Sequence, residues 1–117
     1  MNKLLIIVTS GLWAFTVCAQ TSELIANPQK ARDKLSMCIG CHGVPGYRAS
    51  FPEVYHVPML GGQNAKYIES ALKAYQKGER KHPTMRAIAA SLSEQDIVDI
   101  AAYYAQQSKQ NQSNELK

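Results

Sequence analysis

The sequence predicts an all-α domain of about four helices. Two observations support this prediction: apolar residues recur at helical spacing in several separate segments, and residues typical of helix N-caps precede those segments. No segment alternates apolar and polar residues as a half-buried strand would, and the sequence contains no internal repeat. The 117 residues are enough for one small domain.

The first predicted helix begins at Asn27 and Pro28, because asparagine is a good N-cap and proline is tolerated at the first helical position. Its apolar residues recur at i, i+4 and i+7 and form one face: Ala31, Leu35 and Cys38. The helix should end near His42. From residue 43 to residue 62, prolines and glycines accumulate and the periodicity is lost, which predicts a loop. A loop of this length is unusual in a compact domain unless it wraps around a large ligand.

Three further helices follow. Asn64 should cap the second, and Gly78 should end it in a left-handed conformation. Its apolar face consists of Tyr67, Ile68, Ala71, Leu72 and Tyr75. Pro83 opens a short third helix, whose apolar side consists of Met85, Ile88, Ala89 and Leu92. Residues 93–96 read Ser-Glu-Gln-Asp, which predicts a capping box before the last helix. The helical stripes place four tyrosines in the core rather than in an electron relay: Tyr67, Tyr75, Tyr103 and Tyr104.

The two ends of the chain differ in composition from the predicted domain at 28–107. Residues 1–19 have a positive start, an apolar stretch and small residues before a cleavage position, which predicts a signal peptide that is removed on export. The apolar stretch is shorter than the ~20 residues that a spanning helix needs. An uncleaved anchor and a lipid-modified Cys18 remain alternatives. Residues 20–27 are then a short leader, and the polar segment 108–117 is predicted to be a disordered tail.

The charge and the size of the chain limit its functions. The net charge of +4 is mild and lacks the concentrated basic stripe of a nucleic-acid binder, so we expect no nucleic-acid partner. We also expect a monomer with no stable membrane span after export. A domain this small is often marginally stable, and a covalently held apolar cofactor would add to its core.

The strongest motif is Cys-Ile-Gly-Cys-His at residues 38–42, because C-x-x-C-H is the attachment motif of haem c. The thiols of Cys38 and Cys41 can bind one haem covalently, and His42 can then be the proximal iron ligand. Three alternatives remain: a thiol–disulfide centre, a structural disulfide, and a zinc site completed by His56 and His82. The thiol–disulfide centre expects a βαβ unit, which is absent from the pattern, and the zinc spacing fits no usual finger. The export signal favours haem c, which is assembled outside the cytoplasm.

The sixth iron ligand decides the function. The candidates are Met37, Met59, Met85, His56 and His82. Met37 adjoins Cys38 on the proximal side and is therefore excluded. Met85 follows a complete helix, which can return the chain to the opposite face of the haem. A filled sixth position makes an electron carrier, whereas an open position makes a haem enzyme or a sensor of gas or peroxide.

The chain resembles the small bacterial class I cytochromes c, especially the single-haem units of periplasmic di-haem cytochromes and their mono-haem relatives. The resemblance covers nearly all of residues 28–105. It depends on the motifs at 38–43, 57–63 and 78–80, together with Tyr67, Met85, 92–93, 96–97 and 101–104. It implies the class I cytochrome c fold, with helices wrapped around one covalently bound haem. It also implies that Met85 is the distal ligand, that the carbonyl of Pro58 accepts the Nδ1 proton of His42, and that Tyr103 lies where the last helix crosses the first.

The sequence departs from this family in two places. Met59 stands where relatives commonly have a polar or basic residue, and the segment 47–56 is rich in aromatic side chains. These departures bear on the choice of partner more than on iron ligation.

The expected function is that of a periplasmic mono-haem carrier, not an enzyme, that transfers single electrons between redox partner proteins. Lys77, Arg80 and Lys81 precede Met85, where they either steer an acidic partner or form a solvated turn. Arg48 and Gln63 are candidates for binding a haem propionate. A fixed electron-transfer subunit of a larger oxidoreductase is a further alternative.

Overall fold

The computed structural model describes residues 23–50 and 54–107. The predicted signal peptide at 1–19 and the predicted tail at 108–117 lie outside the described residues. The elements, in chain order, are a 3-10 helix (Lys30–Lys34), α1 (Ser36–His42), β1 (Arg48–Ala49), β2 (Tyr55–His56), α2 (Ala65–Lys77), α3 (Pro83–Ala90) and α4 (Glu94–Gln106). The fold is mostly helical, as predicted.

The first predicted helix is split into two pieces. Asn27 Oδ1 accepts from the backbone N–H groups of Gln29 at 3.2 Å and Lys30 at 3.4 Å, but the N-cap of the first helix is Gln29, two residues later than predicted. The chain then forms the 3-10 helix before α1 begins, instead of one continuous α-helix. Such i→i+3 turns are frequent at helix N-termini. The predicted apolar face is nevertheless buried: Ala31, Leu35 and Cys38.

The segment predicted as a loop contains one short antiparallel pair. Strand β1 pairs with β2, so that Arg48 faces His56 and Ala49 faces Tyr55. The pair is a small addition to a domain that is otherwise helical. Strands of two residues are too short to produce the alternation of side chains from which a strand is recognised. The pair is reinforced by Arg48, whose Nε and Nη2 lie 3.0 and 2.8 Å from His56 Nε2.

Helix α2 begins and ends where the sequence indicated. Asn64 Oδ1 accepts the N–H of Tyr67 at 3.2 Å, and Gly78 has a φ of 76°, which a side chain would strain. Ile68 and Leu72 are buried in the core, but Tyr67 is 53% exposed. The prediction that Tyr67 belongs to the core was wrong, because its ring borders a cavity that helical periodicity cannot distinguish from a packed interior.

Helix α3 is fixed at both ends by side chains. At its start, His82 Nδ1 accepts the backbone N–H of Met85 at 3.3 Å, so His82 is the N-cap and Pro83 is the first residue. At its end, the amide of Gln76 donates to the carbonyl oxygens of Ala89 at 2.8 Å and Leu92 at 2.9 Å. These bonds satisfy backbone groups that a helix terminus leaves without partners. Helix α3 is thereby joined to α2.

Helix α4 completes the core. The predicted capping box is present: Ser93 Oγ accepts the N–H of Asp96, and the carboxylate of Asp96 accepts the N–H of Ser93. Its apolar face is fully buried: Ile97, Ile100, Ala101 and Tyr104. The helix packs against α2 and against the 3-10 helix. In the part of the chain that the structure describes, no helix has both the length and the apolar composition needed to cross a bilayer.

Candidate haem site

Helix α1 presents the C-x-x-C-H motif to the interior. Cys38 and His42 are each 9% exposed, whereas Cys41 is only partly buried. The two thiols are free and are not joined in a disulfide. Cys41 and His42 lie three and four positions after Cys38, so one turn of helix directs all three side chains towards the same side. The motif therefore forms one wall of a site.

The imidazole of His42 is held in one orientation. Its Nδ1–H donates to the carbonyl oxygen of Pro58 at 2.6 Å. Because a carbonyl only accepts, Nδ1 must carry the proton, and Nε2 keeps its lone pair. Burial lowers the pKa of His42, although the bond to Pro58 opposes this effect. At neutral pH the ring is therefore an uncharged nitrogen donor, which is the form that ligates iron.

Burial also controls the chemistry of Cys38. Desolvation, reinforced by the nearby Cys41, raises the pKa of Cys38 to about 11. Thiol–disulfide exchange requires a thiolate, and catalytic cysteines have a lowered pKa. The environment of Cys38 shifts its pKa in the opposite direction. The structure thus disfavours the interpretation of this motif as a thiol–disulfide centre.

A mostly apolar cavity lies between α1, α2 and α3. It encloses about 880 Å3 of empty space, counting the part that opens to solvent. Its apolar wall includes residues that the sequence placed in the core: Ile68, Ala71, Leu72, Ile88, Leu92 and Ile100. Cys38, His42, Pro58, Met59 and Met85 also line this cavity. The periodicity of the helices correctly identified the inward faces, but it did not show that they enclose a space.

A second space adjoins the first. The two spaces share His42, Tyr55, Met85 and Ile88, so they adjoin at these residues, and we call the two spaces together the slot. Cys38 lines the first space and Cys41 lines the second. Cys38 is buried whereas Cys41 is partly exposed, so the slot is more open to solvent beside Cys41 than beside Cys38.

The other residues that the sequence proposed for binding the iron or a propionate lie in different parts of the site. Met59 and Gln63 line the first space, and Met37 and His82 line the second. His56 lines neither and instead accepts hydrogen bonds from Arg48. Within residues 23–50 and 54–107, no group of three or more histidine, cysteine or acidic side chains is arranged to hold a metal ion. The structure therefore does not bring together the zinc site that the sequence left open.

Arg80 has a role that the sequence did not indicate. The sequence predicted either that it steers an acidic partner or that it belongs to a solvated turn, but its side chain also lines the first space. Its Nη1 donates to the hydroxyl of Tyr67 at 3.5 Å, and its guanidinium lies 4.8 Å from the ring centroid of Tyr75. The bond to Tyr67 raises the pKa of Arg80, so the guanidinium stays charged. The only signal in the sequence was its position two residues after Gly78, the C-cap of α2, and this position does not specify the direction of the side chain.

The residues of the slot fit a haem. Two free thiols lie in its two halves, an imidazole with an available Nε2 lies on one side, and the thioether of Met85 lies near the same space. The rest of the first space is mostly apolar, as a porphyrin requires, and Arg80 supplies one positive charge at its wall. This donor set matches the attachment and ligation chemistry of haem c.

Comparisons with known proteins agree with this donor set. The family model described as "Cytochrome c" matches residues 29–108. The chain is 45% identical over 78 residues to cytochrome c-554(548) of Halomonas halodenitrificans, which covers 64% of this chain and 89% of that protein. It is 34% identical over 109 residues to cytochrome c4 of Pseudomonas aeruginosa, which covers 92% of this chain and 49% of that protein. The chain thus spans about half the length of this second relative.

A third relative belongs to an enzyme complex. The cytochrome subunit of sulfide dehydrogenase from Chlorobaculum tepidum is 34% identical over 74 residues, which is 63% of each chain. All three relatives are cytochromes, and the family model covers more than half of this chain. The chain therefore belongs to the cytochrome c family, and it is an electron-transfer protein with one covalently attached haem c.

Proposed function

We propose that the protein is a periplasmic carrier that exchanges single electrons between redox partner proteins, with His42 and Met85 as the two axial ligands of its haem iron. Haem c, when bound, supplies one-electron exchange between Fe(III) and Fe(II). Cys38 and Cys41 hold it covalently. The observation that carries the proposal is that His42 and Met85 line both halves of the slot, with one thiol in each half.

His42 is prepared for its role before any cofactor is bound. The bond to Pro58 fixes the ring and leaves Nε2 as the free donor. A hydrogen bond at the other ring nitrogen also increases the basicity of a ligating histidine. Because the pKa of His42 is lowered by burial, protons do not compete for Nε2 at neutral pH.

Three contacts support Met85 over the other candidates for the distal position. His82 Nδ1 is already engaged by the backbone N–H of Met85. His56 is held by Arg48, away from both halves of the slot. Met59 lines only the first half of the slot, whereas Met85 lines both halves. Met85 comes from α3, a different element from the one that carries His42.

Ligation from both sides leaves no position for a substrate on the iron. A methionine ligand raises the reduction potential relative to harder ligands, and the apolar wall disfavours the extra positive charge of Fe(III). Both effects favour a carrier with a moderately positive potential. The distal vacancy that a haem enzyme or a sensor of gas or peroxide needs is absent from this arrangement of ligands.

The partner surface is proposed on the Cys41 side, where the slot is more open. Exposed Met37, Tyr47 and Tyr55 border that side. A neighbouring groove, which shares His82 with the slot, carries Lys81 and Arg86. This charge favours partners with acidic docking surfaces, and redox encounters typically bury less than ~1,200 Å2. Of the predicted basic cluster, Arg80 and Lys81 both line this groove, and Arg80 also lines the slot.

The test replaces the proposed distal ligand. In the purified holoprotein, Met85→Ala should abolish the weak near-red absorption band of the oxidised form and lower the reduction potential. It should also allow carbon monoxide to bind the reduced form, because the sixth position becomes vacant. Met59→Ala is the matched control, since it removes the other thioether of the first space and should leave the band in place. If Met85→Ala keeps the wild-type spectrum and potential, the proposal is wrong.

A second candidate function is that of a fixed subunit in a larger oxidoreductase. The similarity to the cytochrome subunit of sulfide dehydrogenase favours this candidate. Gel filtration of the native protein from the organism that produces it separates the two. A carrier elutes as a small protein, whereas a subunit elutes with a larger assembly that stays associated at high salt.

A further inference from the structure

We propose that His82 is a positioning residue that holds Met85 on the iron, an inference that rests on the proposed ligation by Met85. His82 is not a ligand in this arrangement. Its Nδ1 accepts the backbone N–H of Met85 at 3.3 Å, which joins the side chain of the N-cap directly to the backbone of the ligand residue.

The helix that carries Met85 depends on this cap. Helix α3 has only eight residues, and Met85 lies in its first turn. Short helices have little stability of their own, and the first-turn N–H groups have no partners within the helix. The bond from His82 satisfies the N–H of the ligand residue itself. Loss of the cap therefore loosens the first turn at the point from which the thioether projects.

The imidazole of His82 is itself held in place. Its ring lies 5.1 Å from the ring of Tyr55, at an interplanar angle of 44°. Tyr55 belongs to β2, so this contact joins the aromatic segment after α1 to the start of α3. This contact gives Tyr55 a structural role. Tyr55 belongs to the aromatic segment 47–56, which the family resemblance does not account for.

A histidine cap costs free energy here, because its second ring nitrogen is buried. Because Nδ1 accepts a bond, Nε2 carries the proton, and Nε2 is buried without a hydrogen-bond partner among the described residues. Asparagine, serine or aspartate would cap the helix without burying a second polar group. A histidine that satisfies only one of its two nitrogens indicates that the ring contributes packing as well as a cap.

This arrangement has a measurable consequence for the exchange of the distal ligand. An external ligand binds iron only when the thioether of Met85 leaves, and its departure requires the first turn of α3 to move. The cap opposes that movement. The free energy of binding of the external ligand is therefore less favourable by the free energy of the cap, and the apparent affinity is lower. Removal of the cap should therefore strengthen binding of the external ligand.

The experiment titrates the oxidised holoprotein with imidazole and follows the near-red band. His82→Ala should keep this band without imidazole and should bind imidazole about fivefold more tightly, which equals about 1 kcal/mol at 1.4 kcal/mol per tenfold change. His82→Asn should return the affinity to within about twofold of wild type, because asparagine is also an N-cap. Ser93→Ala is the matched control: it removes the cap of α4, which carries no ligand, and should leave the imidazole affinity unchanged.

The outcomes separate this inference from the proposed function. If Met85→Ala removes the band but His82→Ala binds imidazole as wild type does, Met85 is the ligand and His82 does not position it. The inference would also be overturned if His82→Ala and His82→Asn bound imidazole equally tightly and both more tightly than wild type. Loss of the cap would then not be the cause of the tighter binding. If wild type lacks the band altogether, the ligation by Met85 is wrong and the inference falls with it.

Discussion

The backbone N–H of Asn27 donates to Oδ1 of Asp99 over 2.6 Å, although the two residues are 72 positions apart in the chain. Asp99 is only 3% exposed, and its Oδ1 also accepts from the side-chain amide of Gln95 at 2.7 Å. Gln95 donates in addition to the carbonyl of Ile25. These bonds join the chain that precedes the 3-10 helix to α4.

Asp99→Ala should therefore destabilise the protein. The substitution leaves the N–H of Asn27 without its partner and removes a buried acceptor, which should lower the free energy of unfolding by about 2 kcal/mol. Denaturant unfolding of the holoprotein measures this change. Asp33→Ala is the control, because Asp33 is an exposed carboxylate and its loss should cost less than about 0.5 kcal/mol. Equal effects of the two substitutions would show that the bond to Asn27 does not stabilise the fold.

The amide of Gln76 provides a second tertiary bond that can be tested. Gln76→Ala removes both bonds at the end of α3. The carbonyl of Ala89 still accepts the N–H of Leu92, whereas that of Leu92 is left to bind water. The expected loss is about 1–2 kcal/mol in the free energy of unfolding, again measured with denaturant. Gln106→Ala, at an exposed position of α4, should change it by less than about 0.5 kcal/mol. A neutral effect of Gln76→Ala would mean that water replaces both bonds at no cost.

The position of Arg80 predicts an effect on the reduction potential. Its positive charge at the wall of the slot disfavours Fe(III), so Arg80→Met, which keeps an apolar stem, should lower the potential. A partly exposed single charge contributes about 0.5–1 kcal/mol, which corresponds to about 20–40 mV for a one-electron couple. Spectroelectrochemical titration measures the shift. Lys30→Met, on the exposed 3-10 helix, should change the potential by less; a larger shift in that variant would contradict the assignment of Arg80.

The capping box of α4 predicts a pH dependence of stability. The backbone N–H and the hydroxyl of Ser93 bind the carboxylate of Asp96 and lower its pKa in the folded protein. A lowered folded pKa adds stability that is fully present above the unfolded pKa of ~3.9 and is lost as the pH falls through the folded pKa. Asp96→Ala should thus be about 0.5–1 kcal/mol less stable than wild type at pH 6. The difference should shrink below about pH 4; a constant difference down to pH 2 would rule out this mechanism.

Local sequence determined most of the secondary structure and one half of the site. The caps at Asn64, Gly78 and Ser93 lie where they were predicted, because each acts on backbone groups within a few residues. The predicted resemblance to class I cytochromes c is confirmed by the family match and by the relatives. The C-x-x-C-H motif identified the cofactor because its chemistry depends on spacing within one helical turn.

Tertiary structure alone decided how distant segments meet. The sequence placed Tyr67 in the core, whereas its side chain is exposed and borders the slot. Arg80 is exposed, as expected, but it also borders the slot. It gave His82 as a rival ligand, but the fold makes it the cap of α3. The short pairing of β1 with β2 was missed because two-residue strands leave no periodic pattern. Periodicity shows which face of a helix turns inward, but whether that face meets another side chain or a space for a cofactor depends on residues far away in the chain.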